Sequence, residues 1–261
     1  MPKAQVNGVS LYYEEHGEGD AIVGIHGAGS SAALWATPAK ELAKRGRTIV
    51  YDRRGHSRSD RLEPYETNVH QQADDAVCLI DALDAAPAVL IARSYGGAIA
   101  LDVALRDSDR VRALILLEGD AGITLSGAAT RELVEFTDAA ERAAAVDMDT
   151  VGETLVRLAL SDSAWEQIPE EAREIFTGNG PAILAELRGG YPDVTLEQLG
   201  SVDQPTLLVG ARDSQFDYSE MINIAANAMP AAQVEWVDGG HAIDPAHPVV
   251  LEFLDGVLAP G

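Results

Sequence analysis

VLIARSYGGAIAL, residues 89–101, is the stretch on which the fold turns. A short apolar run ends at Ala92, Ser94 follows, and Gly96-Gly97 opens a segment of helical pattern. Small-x-Ser-x-Gly between a strand and a helix makes a sharp turn. Such a turn lifts the serine hydroxyl above the C-terminal edge of a sheet. It also leaves the backbone N–H of Tyr95 at a helix N-terminus, where it can face a developing oxyanion. Ala92 stands where a glycine is usual, a mild departure. The plainer alternative is a serine capping an ordinary helix.

Working outward, short apolar runs recur on both sides. AIVGI (21–25) and RTIVY (47–51) precede the turn, and VRALILL (111–117), PTLLVG (205–210) and QVEWV (233–237) follow it. Continuous apolar runs of this length suit strands buried on both faces. Helical patterns separate them: residues 31–45, a stripe from Val69 through Ala73, Ala76, Val77, Ile80 and Leu83, then 218–228 and 247–258. At the N-terminus AQV and VSLYYEE flank Asn7-Gly8, a type I′ hairpin signal. The reading is an α/β fold: a mostly parallel eight-stranded sheet with helices on both faces and an antiparallel edge. Residues 119–200 break the alternation with helical stretches near 130–146, 150–160 and 164–176. They predict a helical cap inserted into a core formed by 1–118 and 201–261.

The 261 residues carry 19 basic and 42 acidic side chains, a net charge of −23. Phosphate backbones and anionic lipid surfaces repel such a chain, so neither nucleic acid nor membrane is an expected partner; a small-molecule substrate is. Residues 119–200 alone hold five basic and 16 acidic groups. One cysteine, Cys78, excludes an intrachain disulfide and suits a reducing compartment. It falls on the apolar stripe of a helix and reads as a packed thiol. No signal peptide or run of ~18 apolar residues is visible, so a soluble cytoplasmic protein is expected.

A nucleophilic serine needs a base and a group to orient it. GGHAID places His241 just past the last strand, where α/β folds build sites. Two carboxylates can reach it: Asp213, after PTLLVG in GARD, and Glu118, directly after VRALILL. The chain order Ser94…Asp213…His241 favours Asp213 as the acid, with Glu118 the alternative. In IHGAG (25–29) a glycine-rich turn offers the N–H of Ala28 as a second oxyanion donor. The arginines from 53 to 61 lack a glycine-rich phosphate cradle with a lysine and read as a solvated loop. Neither a metal nor a cofactor motif is present: there is no H-E-x-x-H, and the glycines at 17 and 19 precede a strand instead of following one.

With these pieces in place the chain resembles the α/β-hydrolase fold superfamily, in particular its small single-domain serine hydrolases. The resemblance rests on HGAG (26–29), Trp35, YDRRGHSRS (51–59), ARSYGG (92–97), GARD (210–213) and GGH (239–241), and spans nearly the whole chain. It implies that Asp52 and Ser59 shape a loop. It also implies acyl transfer to Ser94 and cleavage of a carboxylic ester or lactone, without a cofactor. The alternatives are a C–C bond hydrolase or a cofactor-free perhydrolase on the same triad, or a ligand-binding protein on a hydrolase scaffold. Phe136, Trp165, Phe176 and Tyr191 are candidate pocket walls, with core packing the simpler role. Oligomeric state is not legible.

Overall fold

The computed structural model describes residues 2–63 and 65–259. The chain opens with β1 (Lys3–Val6), β2 (Val9–His16) and β3 (Ala21–Ile25). Then come α1 (Ala36–Leu42), β4 (Arg47–Tyr51), α2 (Val69–Ala82), β5 (Ala88–Arg93), α3 (Tyr95–Arg106) and β6 (Val111–Leu117). Five helices follow without a strand: α4 (Gly127–Val146), α5 (Thr150–Ala159), α6 (Asp162–Gln167), α7 (Glu170–Gly178) and α8 (Gly180–Gly189). The chain closes with α9 (Leu196–Gly200), β7 (Thr206–Ala211), α10 (Ser219–Ala228), β8 (Ala232–Val237) and α11 (Pro248–Val257).

The eight strands lie in the order β1-β2-β4-β3-β5-β6-β7-β8. β1 and β2 run antiparallel, β2 antiparallel to β4, and the other neighbours are parallel. The β1–β2 turn has positive φ at both Asn7 and Gly8, as its sequence signal requires. Side chains alternate across the sheet with the period of two that strands impose. On β5, Leu90 and Ala92 face a core with α2, α3 and α10, while Val89 and Ile91 face one with α1 and α11. Both faces are therefore covered, which is why these strands read as unbroken apolar runs. No helix among the described residues is long and apolar enough to cross a membrane.

Two helix expectations needed revision. Residues 31–45 form a 3₁₀ turn over Ala32–Trp35 and then the short α1, because Asp52 Oδ1 accepts the Ala32 N–H at 2.7 Å and fixes a tight turn there. The expected helix over 164–176 is split into α6 and α7 at Pro169; Ile168 before it adopts extended backbone, as a residue preceding proline prefers. α8 and α9, unread in the sequence, complete the helical segment. α4 and α5 pack on one another and on α8, with Ala140, Val151, Ile183 and Leu184 as their shared apolar cluster, whereas α9 packs on α10.

Candidate active site

Ser94 is the first residue beyond β5 and has φ 53, ψ −129, a left-handed conformation that costs a side-chain-bearing residue about 1–3 kcal/mol. The surrounding backbone holds it there: the Ser94 carbonyl accepts from Gly97 N–H at 2.7 Å and from Asp120 N–H at 3.0 Å. The glycines after it are steric requirements. A Cβ on Gly96 would lie 2.5 Å from the Ile25 carbonyl oxygen, and one on Gly97 would lie 2.3 Å from Gly119 Cα. Ala92, where glycine is usual, is accommodated in the core.

His241 follows β8 by four residues and is buried at 7% exposure. Its Nδ1 lies 2.7 Å from Glu118 Oε2, and Tyr218 stacks on the imidazole with ring centroids 4.9 Å apart. Glu118 is 1% exposed and has φ 40. Its Oε1 accepts the Ala211 N–H at 2.9 Å, and Ser214 Oγ lies 2.7–2.8 Å from its two oxygens. A buried carboxylate needs such donors, since they replace the water it has lost.

The expectation that Asp213 faces the histidine is corrected by this geometry. Asp213 is exposed; its Oδ2 accepts the Gly239 N–H at 3.2 Å and its own N–H donates to the Gly239 carbonyl at 2.9 Å. It thus tethers the start of the histidine loop from the solvent side. The reason is register: β6 lies between β5 and β7, and Glu118, whose N–H donates to Val209 at 2.8 Å, is the first residue past β6. Ser214 was not read as a site residue. Nothing in its local sequence distinguishes it from an ordinary loop serine.

Ser94, Tyr95, Ala28 and His241 line one cavity of about 120 Å³. Among the described residues no hydrogen bond joins Ser94 Oγ to the imidazole, and none gives the N–H groups of Ala28 and Tyr95 an acceptor. The rest of the wall comes mainly from the helical segment, including Leu133, Phe136, Leu155, Phe176, Leu187 and Tyr191. Trp165 lies instead on a shallow depression elsewhere.

The arginine loop is not solvated. Arg53 is 1% exposed; its Nε donates to the His26 carbonyl at 2.8 Å and its Nη2 to the Gly27 carbonyl at 3.0 Å. Nη1 pairs with Glu186 of α8 and Gln72 of α2. His26 Nε2 accepts the Arg53 N–H at 3.0 Å, which requires a neutral ring, and burial pushes its pKa well down. Asn179 also reaches from the helical segment, donating to the Gly29 and Ser30 carbonyls at 2.9 and 3.0 Å. The turn bearing Ala28 is thus held from below and above. Asp52 binds Arg58 and the Ala32 N–H, and Ser59 donates to the Asp52 carbonyl, so both shape the loop. Among the described residues no cluster of three or more His, Cys, Asp or Glu is disposed to hold a metal.

A family model described as the alpha/beta hydrolase fold matches residues 20–244. The chain is 30% identical over 263 residues to a protein assigned as carbamate hydrolase RutD from Azorhizobium caulinodans, covering 96% of this chain and 95% of that one. An esterase from Thermogutta terrifontis superposes with a TM-score of 0.83 at 23% identity, over 99% of this chain and 100% of that one. Est816, described as degrading N-acyl homoserine lactones, superposes with a TM-score of 0.75 at 25% identity, over 98% and 99%.

Proposed function

The chain belongs to the alpha/beta hydrolase family, and on that premise we propose that it is a serine hydrolase cleaving a carboxylic ester or lactone of modest size through an acyl-Ser94 intermediate. The observation that carries this reading is the buried His241–Glu118 pair opening on the same cavity as the strained Ser94. In the first step His241 Nε2 takes the Ser94 hydroxyl proton while Oγ attacks the substrate carbonyl. Glu118 accepts the Nδ1–H and stabilises the imidazolium that forms. The oxyanion is held by the N–H groups of Ala28 and Tyr95, which have no acceptor among the described residues. Removing one such donor typically costs about 3–4 kcal/mol in the transition state. The imidazolium then protonates the leaving alcohol, and a water deprotonated by His241 releases the acid.

The helical segment acts as a cap on this reading: its apolar side chains supply the acyl-binding walls. The cavity, at about 120 Å³, exceeds the ~10–15 Å³ that a single water needs. It suits a small substrate.

The test is hydrolysis of p-nitrophenyl esters of rising chain length and a lactone panel by wild type and Ser94→Ala. The variant should fold and show under one per cent of wild-type turnover. Higher turnover in a clean preparation would place the nucleophile elsewhere.

A further inference from the structure

Asp120 is a carboxyl that the acyl-transfer steps leave unused. Its N–H donates to the Ser94 carbonyl at 3.0 Å, which fixes it beside the backbone of the nucleophile. The residue is 5% exposed and lines the cavity together with Ser94 and His241. Its hydrogen bonding is one-sided. Oδ2 accepts from Tyr191 Oη at 2.6 Å, and no second donor among the described residues reaches the carboxyl.

A carboxylate has about four acceptor sites, and leaving a buried one short of donors costs free energy. The other acids around the cavity are placed differently. Glu186 is occupied by Arg53 and Gln72, and Glu132 is half-buried on α4. Nearby Ile123, Leu133, Phe136 and Leu187 offer no donor. Among the described residues, Asp120 is the buried carboxylate of this wall that has a single donor.

We propose that Asp120, held by Tyr191, is a specificity-determining subsite that accepts a hydrogen bond from an amide N–H or hydroxyl of the substrate close to the reacting carbonyl. This rests on the serine-hydrolase reading and narrows it to acylamino- or hydroxy-substituted esters and lactones. Burial raises the Asp120 pKa to about 6, so the acceptor is ionised at neutral pH and its bond to a donor is charge-assisted. A site built to hydrogen-bond one group rejects an analogue lacking it, because the protein's polar atom is then left unpaired.

Two esters isolate the contact: p-nitrophenyl N-acetylglycinate and p-nitrophenyl 4-oxopentanoate, which differ by an N–H in place of a CH2. Each kcat/KM is divided by the hydroxide-catalysed rate of the same ester to remove intrinsic reactivity. Wild type should favour the N–H ester by about tenfold or more, and the preference should shrink below about pH 6 as the carboxyl takes up a proton. In Asp120→Leu the ratio should fall to near one, and in Asp120→Asn to an intermediate value. Because the ratio is read within each protein, a general loss of rate cancels. If Asp120→Leu does not fold, the wild-type ratio and Asp120→Asn decide. A wild-type ratio near one, or a ratio unchanged in the folded variants, overturns the proposal. Failure of the underlying reading looks different: wild type would hydrolyse neither ester and would not be labelled at Ser94 by a fluorophosphonate.

Discussion

Ser94 and Glu118 both carry side chains at positive φ immediately past a strand end, 53° and 40°. Strain of this kind persists where the surroundings over-determine it, and it gathers at working sites. The strained turn at Ser94 was legible in the sequence because it demands the glycines that follow it. Glu118 was visible only as one of two carboxylates at strand ends. Choosing between them needed the register of β6 against β7, which no local pattern encodes. Asp120 carries a further residue-scale consequence. Its pKa is raised from 3.8 to about 6 by burial. Between these values the folded protein holds a proton that the unfolded chain has released, so wild type loses stability as pH rises through that window, and the loss is complete above it. Asp120→Asn has no such proton. Its stability relative to wild type should therefore improve by on the order of 2–3 kcal/mol from pH 4 to pH 8. Denaturant melts at the two pH values check this, and an equal difference at both would contradict it.

At the scale of elements, the informative joint is between α8 and the turn carrying Ala28. Glu186 on α8 neutralises Arg53, and Arg53 holds the His26 and Gly27 carbonyls. This joint was not legible in the sequence, because Glu186 is 133 positions from its partner and the arginine-rich loop reads as surface. The inserted helices were recognised by the loss of strand alternation, but their boundaries were not, since Pro169 and Asn179 act through local turns and long-range bonds. Breaking a buried ion pair by removing one partner typically costs about 3–5 kcal/mol. Glu186→Gln should then lower the melting temperature by about 10 °C for a chain of this size. It should also reduce ester kcat by at least about tenfold, as the Ala28 donor loses its support. Thermal melts and steady-state rates at 25 °C, below the variant's transition, measure both. An unchanged kcat would show that the turn holds itself.

For the whole molecule, the mostly parallel eight-stranded sheet and the helices on both its faces were legible because buried parallel strands leave a pattern of short apolar runs between helices, whereas the strand order was not read. The cavity was not, because half of its wall comes from helices whose placement over Ser94 depends on contacts such as those of Asn179 and Glu186. The central claim joins three distant parts of the chain: Ser94 is the acylated nucleophile, activated by His241 and oriented by Glu118. The rate of Ser94 labelling by a fluorophosphonate, mapped by peptide mass spectrometry in wild type, Glu118→Gln and Asp213→Asn, tests it directly. The label should appear on Ser94; its rate should fall on the order of 10⁴-fold in Glu118→Gln, where the imidazole is left in the wrong tautomer, and stay within a few-fold of wild type in Asp213→Asn. Label on another residue, or a near-dead Asp213→Asn beside a fast Glu118→Gln, would contradict it.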